Sequence, residues 1–336
     1  MAAPKVSIII PSRNKASVIL ETLECVVAQT EKDFEAFVID NNSKDGTREI
    51  VKKFIAKDKR FELTENNGDE GLVYSLNLGI SKARGRYIAV LHCDDVWQDN
   101  FLESSIALFE KNPSSGICFC RCENIDERSK LHRIAARNEY SGESRLIGSQ
   151  ELFERYVKRD FTPVCTVLVR KEVHEKCGKY DPQYPGPSDY QMWIKIAHKF
   201  DGVFNGGSTS KYRIYGENDS NTMIDENAIL IEQYSMILKL FREYVEKTSE
   251  RQRFKRVLLR NTALSSLRQA VNAIAQNKGT VARTKCGFAI MCYGGINETI
   301  IAGVIYFASL FTIILAPIIS FLIPHILKIM KKSGHY

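Results

Sequence analysis

Short apolar runs alternate with amphipathic stretches through the first hundred residues. Lys5 to Ile10 (KVSIII) and Phe34 to Ile39 are dense in β-branched and apolar residues, the pattern of strands buried on both faces. Each run ends abruptly in a polar loop, Pro11-Ser12-Arg13-Asn14 after the first and Asp40 to Thr47 after the second. Beyond the first loop Val18, Leu20, Leu23, Val26 and Val27 recur at helical spacing, and beyond the second a helix runs through Lys53. A third helix-like stretch, Gly71 to Ala83, follows the polar loop Glu65 to Glu70 and leads into the strand run Arg86 to Leu91. Strands alternating with helices predict an α/β fold, a mainly parallel, right-handed, Rossmann-like sheet flanked by helices. The polar loops then gather on one edge.

That edge carries the candidate chemistry. The run Arg86 to Leu91 stops at His92-Cys93-Asp94-Asp95, so two adjacent carboxylates sit just past a strand's carboxyl end. Ligands of open α/β sheets bind there, and hard carboxylate oxygens suit Mg²⁺ or Mn²⁺ carrying a diphosphate. An acidic turn capping the next helix fits the local pattern equally well. Asp40 also ends a strand run and can accept a hydrogen bond from a base N–H. No GxGxxG or GxxxxGK[ST] loop is present, which argues against dinucleotide-binding and P-loop classes.

Further along, Asn100 to Lys111 reads as a helix, Gly116 to Cys122 as a strand, and Thr162 to Arg170 as another. Glu123 to Gly148 is polar with little periodicity and predicts a long excursion. Asp189 opens a helix whose apolar positions Met192, Trp193, Ile196 and Ala197 continue at three-to-four spacing. On local grounds it caps that helix. Two more helices are expected over Asp225 to Glu246 and Glu250 to Gln276.

Composition narrows the class. The hydrophobic fraction of 44% supports a packed core, and nine cysteines without a CxxC pair predict reduced thiols. The net charge of +7 is moderate, with Arg251, Arg253, Lys255, Arg256, Arg260 and Arg268 clustered. Such a surface suits nucleic acid or anionic lipid, and the tail favours lipid. From Thr299 to Leu327 there is no Asp, Glu, Lys or Arg, a run longer than the about 20 residues that cross a bilayer. Pro317 and Pro324 interrupt it, and basic residues flank both ends, which favours a re-entrant hairpin or two short spans, with one tilted transmembrane span as the alternative, and the catalytic part on the cytoplasmic face. The expected organisation is a catalytic domain over 1–224, a basic helical region over 225–285 and a membrane-associated segment over 286–336, with no nucleic-acid partner.

The runs VSIIIPSRNKASVILETLECVVAQT, VIDNNSKDGT and GLVYSLNLGISKARGRYIAVLHCDDVW resemble, in order and spacing, the N-terminal half of the family 2 glycosyltransferases of GT-A fold. The resemblance implies a metal-dependent enzyme that moves a sugar, with inversion, from a nucleoside-diphosphate donor, here a UDP-sugar, to a hydroxyl. The acceptor it implies is a saccharide, lipid-linked given the tail. It places base recognition on Asp40 and the donor wall on Pro11, Ser12, Arg13, Asn14 and Asn42. It places the metal, Mn²⁺ or Mg²⁺, on Asp94 and Asp95, with Asp94 also on the donor side. The family's first metal-motif aspartate is His92 here, a residue able to bind Mn²⁺ or a ribose hydroxyl, or simply to pack at the strand end. Asp189 matches the family's catalytic base, with Ser188 where an acidic residue is usual. The segment KYRIYGENDSN resembles a further family stretch, placing Arg213 near the diphosphate and Tyr215 at a usual histidine. Transfer to polyprenyl phosphate, whose acceptor needs no strong base, and a non-catalytic nucleotide-sugar-binding membrane protein are the alternative readings.

Overall fold

The computed structural model describes residues 3–66, 68, 70–131, 140–158, 162–214, 228–275 and 278–292. Two compact units emerge, Met1–Tyr156 with Asp160–Asn218, and Val157–Arg159 with Asp219–Tyr336.

The first unit is built on one sheet. Strands β1 (Val6–Ser12), β2 (Phe34–Asn41), β3 (Phe61–Asn66) and β4 (Tyr87–Val90) are linked by helices α1 (Ile19–Ala28), α2 (Thr47–Ile55) and α3 (Gly71–Lys82). Every residue of β1, β2 and β4 is buried, as their unbroken apolar runs require. They pair in parallel in the order β3-β2-β1-β4, so their carboxyl ends share one edge. Helix α3 lies close on this sheet through Gly79, where an added Cβ would stand 2.4 Å from Ile9 Cγ2.

The rest of the sheet is mixed. After β5 (Val96–Trp97) and α4 (Phe101–Lys111) come β6 (Ser115–Ile125), β7 (Arg145–Ile147) and α5 (Ser149–Lys158). Then follow β8 (Val167–Arg170), α6 (Lys171–Cys177), α7 (Ser188–Lys199) and β9 (Asp201–Arg213). β8 runs antiparallel to both β4 and β6, β9 parallel to β6, and β5 and β7 antiparallel to β9. The sheet is therefore parallel over β1 to β4 and mixed beyond, an α/β sheet flanked by helices and mostly parallel, as expected. β3 had no signal because it carries no apolar run, Phe61 alone of its residues being buried, and the expected strand over 162–170 begins with a 3₁₀ turn at Val164–Thr166. Trp193 of α7 packs buried with its indole N–H donating 2.9 Å to the Thr162 carbonyl.

The cysteines of the first unit, among them Cys118, Cys120 and Cys122, are buried free thiols. His174 of α6 is also buried, its Nδ1 without a partner among the described residues, and burial lowers its pKa from 6.5 to about 4. The folded chain keeps this imidazole neutral while the unfolded chain protonates below 6.5, so the unfolded state binds more protons between the two values. Stability is expected to fall by up to ~1.4 kcal/mol per pH unit as pH drops through that window. Denaturant melts across pH should show this slope in the native chain and lose it in His174→Leu.

The second unit contains α8 (Ala228–Tyr244), α9 (Thr248–Ala275) and α10 (Gly279–Cys292). Phe241 of α8 meets Phe254 of α9 at 5.7 Å between ring centres. Small apolar residues of α9, such as Ala263, Ala270 and Ala273, form one core with Ala282, Cys286 and Ala289 of α10. Among the described residues no helix is long and apolar enough to cross a membrane. The expected membrane run, 299–327, lies outside the described residues, as does Tyr215.

Candidate active site

The carboxyl edge of β1, β2 and β4 brings the expected nucleotide residues together. Ser12 pairs with Asp40 across β1 and β2, and Asp40 with Glu65 across β2 and β3. The Leu91 N–H reaches the Ile9 carbonyl at 3.0 Å, so His92 emerges beside the end of β1. The strand order reverses here, with β1 feeding β2 on one side and lying against β4 on the other.

Two loops on this edge lock together. The Asn14 N–H donates to Ser43 Oγ at 2.9 Å, and Asn14 Oδ1 accepts from the Lys44 N–H at 2.8 Å. Lys15 N–H donates to Thr47 Oγ1 and Ala16 N–H to Asp45 Oδ2, both at 2.9 Å. Asn14 and Asn42 hold φ of 50° and 60°, a left-handed conformation that asparagine tolerates better than most residues. Pro11 and Ser12 are buried at the strand end, whereas Arg13 and Asn14 are exposed and Asn42 is half-buried.

Asp40 is fully buried. Its Oδ1 accepts from the Ser43 N–H at 3.0 Å and from the Arg48 guanidinium, while Oδ2 has no donor among the described residues. A buried carboxylate oxygen without a donor costs free energy that an incoming N–H would recover. Arg48 in turn donates to the Asn66 carbonyl at 3.2 Å and lies 3.5 Å from Glu65.

The turn after β4 gathers the metal candidates. Ligand atoms of His92, Asp94 and Asp95 all lie within 4.8 Å of one another. Asp95 is buried, its Oδ1 accepting from the Arg213 backbone N–H at 3.0 Å and its Oδ2 having no hydrogen-bond partner among the described residues. Burial, then the charge of Asp94, pushes the Asp95 carboxyl well above the ordinary carboxylate range. A cation would relieve both effects, so this donor set fits a divalent metal. One imidazole nitrogen with two carboxylates suits Mn²⁺ better than Mg²⁺. Asp94 is half-buried and pairs with Lys15, whose Nζ stands 3.3 Å from its Oδ2. Lys15 escaped the sequence reading because nothing in the loop's pattern marks it; its place appears only when the loop folds onto Asp94.

Arg213, expected near the diphosphate, is 1% exposed and engaged elsewhere. Its guanidinium donates to the carbonyls of Asp94 at 2.8 Å and Asp126 at 3.0 Å, to Ser129 Oγ at 3.0 Å and to Glu21 at 2.6 Å. In this structure it ties the Asp94-Asp95 turn to α1 and to the end of β6.

Asp189 sits half-buried in the first turn of α7, its Oδ1 accepting from the Tyr190 N–H at 2.8 Å. Burial raises its pKa above the ordinary carboxylate value, while that N–H and the nearby His92 imidazole act in the opposite sense. The electrostatic reach of His92 to Asp189 links the metal candidates to the candidate base. Ser188, buried beside it, holds the position where an acidic residue was the expected pattern.

Comparison with known proteins decides the family. The pattern of glycosyl transferase family 2 matches residues 7–178, just over half of the chain. An uncharacterized glycosyltransferase of Rickettsia prowazekii is 30% identical over 226 residues, covering 67% of this chain and 68% of that one. The chain belongs to glycosyltransferase family 2. A further relative is the Escherichia coli UDP-Glc:alpha-D-GlcNAc-diphosphoundecaprenol beta-1,3-glucosyltransferase WfgD. It is 27% identical over 224 residues, or 66% of this chain and 81% of that protein. Residues 1–349 of Staphylococcus aureus TarS, solved with UDP-GlcNAc, share the fold with a TM-score of 0.64. Identity is 13%, and the likeness covers 91% of this chain and 90% of TarS 1–349. The mannosyltransferase PcManGT of Pyrobaculum calidifontis, solved with GDP-Man and Mn²⁺, gives 0.56 at 14% identity, over 98% of this chain and 87% of that one. The fold is thus of GT-A type, and the glycosyltransferase is a nucleotide-sugar-dependent enzyme.

Proposed function

We propose that this enzyme transfers a sugar, with inversion, from a UDP-sugar to a hydroxyl of a lipid-linked saccharide. The observation that carries the donor is Asp40. One of its oxygens is taken by Ser43 and Arg48, leaving a single acceptor. Uracil offers one N–H flanked by carbonyls, whereas guanine offers two adjacent donors, so one acceptor beside an arginine favours uracil. Asp40→Asn is expected to weaken UDP binding roughly 10- to 100-fold, the usual effect of losing a buried charged acceptor. Calorimetric titration with UDP and GDP tests this; equal affinity for the two would overturn the uracil reading.

The diphosphate would rest against the loop Arg13 to Lys15. Mn²⁺ held by His92, Asp94 and Asp95 would neutralise the diphosphate as it departs. Lys15 adds a second cation on the same carboxylate, so Lys15→Met is expected to lower UDP affinity about tenfold. Uridine, lacking phosphates, should bind the variant and the native chain alike.

Asp189 would take the proton of the acceptor hydroxyl as its oxygen attacks the anomeric carbon. The elevated pKa caused by burial makes it a stronger base than an exposed carboxylate. A lipid-linked acceptor is supported by the WfgD relative, named for a diphosphoundecaprenol acceptor, and by the uncharged run 299–327. In this reading the segment 286–336 holds the enzyme to a membrane with the catalytic unit on the cytoplasmic face. Removing residues 293–336 should release the protein into the soluble fraction; full retention would contradict the anchor.

A further inference from the structure

One side chain ties the nucleotide half of the sheet to the segment that leads into the candidate base. Asn77 of α3 donates from Nδ2 to the Tyr180 carbonyl at 2.9 Å and accepts on Oδ1 from the Tyr180 N–H at 3.0 Å. The side-chain amide thus meets both backbone groups of one residue, as a neighbouring strand would, and only one orientation of that amide satisfies both. Asn77 is itself held in place. Just beyond it, Gly79 lets α3 press so close that an added Cβ would stand 2.4 Å from Ile9 Cγ2 and 3.1 Å from Ile39 Cδ1, so the helix rests directly on β1 and β2.

Tyr180 stands at the entry to α7. Helix α6 ends at Gly178, whose φ of 80° favours glycine, and residues 179–187 lead from there to Ser188 and Asp189. Pro182, Pro185 and Pro187 fix φ along this lead-in. A turn at Asp181 is closed by the Gln183 N–H on Asp181 Oδ1 at 2.9 Å and by the Tyr184 N–H on the Asp181 carbonyl at 3.1 Å. Such a segment has little slack, so a shift at Tyr180 should be felt at Asp189. The Tyr180 side chain lies close to the base as well. It is 2% exposed, its ring centre is 6.2 Å from that of His174, and burial and then the charge of Asp189 raise its phenol pKa.

We infer that Asn77 is a positioning residue for the transfer, fixing the lead-in to α7 against the nucleotide half so that Asp189 meets the acceptor hydroxyl at the reacting distance. The inference rests on the reading of Asp189 as the base. Without Asn77 the buried N–H and carbonyl of Tyr180 lose their partner, and the lead-in must move to satisfy them. A shift of about 1 Å in a positioned group can cost on the order of a hundredfold in rate. The donor residues stand on the strand ends and loops after β1, β2 and β4, which this change leaves in place.

The experiment compares Asn77→Ala, Asp189→Asn and the double variant in the full-length protein. UDP-glucose and UDP-N-acetylglucosamine are the donors, membrane lipid extract is the acceptor source, and titration with UDP reads donor binding. Asn77→Ala should lower kcat roughly 10- to 100-fold with UDP affinity unchanged, and amide exchange at Tyr180 should quicken about tenfold. Added to Asp189→Asn it should cost little more, because the group it positions is already gone. Asn77→Asp keeps an oxygen for the Tyr180 N–H and should fall between native and Asn77→Ala, which supplies a milder variant if Asn77→Ala is unstable. A native rate in Asn77→Ala, with Asp189→Asn slow, would overturn the positioning role alone. So would losses that multiply in the double variant, or a fall in UDP affinity matching the fall in kcat. Full transfer by Asp189→Asn would remove the base and the positioning role together.

Discussion

Asp189→Asn is expected to lower the rate of sugar transfer by about 10²- to 10⁴-fold, the usual contribution of a positioned general base. The substitution keeps shape and the acceptor oxygen for the Tyr190 N–H, so the start of α7 should remain intact. UDP affinity should be unchanged, which places the loss in the chemical step. The pH profile gives an independent check. Burial holds the Asp189 pKa above the ordinary carboxylate value, and only the ionised form can accept a proton. The acid limb of kcat/KM should accordingly lie above the range of an exposed aspartate, with activity rising with pH through it. Transfer that survives Asp189→Asn would point to an acceptor that is already ionised, such as a polyprenyl phosphate.

Arg213→Met is expected to destabilise the first unit by about 3–5 kcal/mol. The guanidinium is buried, and its loss orphans the carbonyls of Asp94 and Asp126. Its ion pair with Glu21 adds less, because Glu21 is 43% exposed. Arg213→Lys should recover only part of the loss, since an ammonium cannot span the four acceptors reached by the planar fork. Denaturant unfolding measures the stability. Mn²⁺ binding should weaken in the same variants, because the Asp94-Asp95 turn loses its tie to α1. A variant as stable as the native chain would contradict the structural role of Arg213.

The nucleotide half of the fold was legible because its strands are buried on both faces. Unbroken apolar runs such as VSIII and YIAV end at polar residues, and those residues lie on the carboxyl edge as expected. β3 was not legible because it borders the sheet and carries no apolar run. The mixed half was harder, since antiparallel pairing of β8 between β4 and β6 comes from long-range closure and leaves no local signature. The site divides in the same way. Asp40, Asp94 and Asp95 stand at strand ends, where pattern alone could nominate them. Lys15 and the inward turn of Arg213 depend on which loops meet in space, and neither spacing nor residue type encodes that meeting.

The central claim is metal-assisted transfer from a UDP-sugar, and donor turnover tests it most directly. The purified protein would be incubated with UDP-, GDP- and dTDP-sugars, with Mn²⁺, Mg²⁺ or chelator, and membrane lipid extract as acceptor source. The account predicts release of UDP from one UDP-sugar, strongest with Mn²⁺, abolished by chelator and by Asp94→Ala. No nucleoside diphosphate released from any donor, or release indifferent to both metal and Asp94, would contradict it.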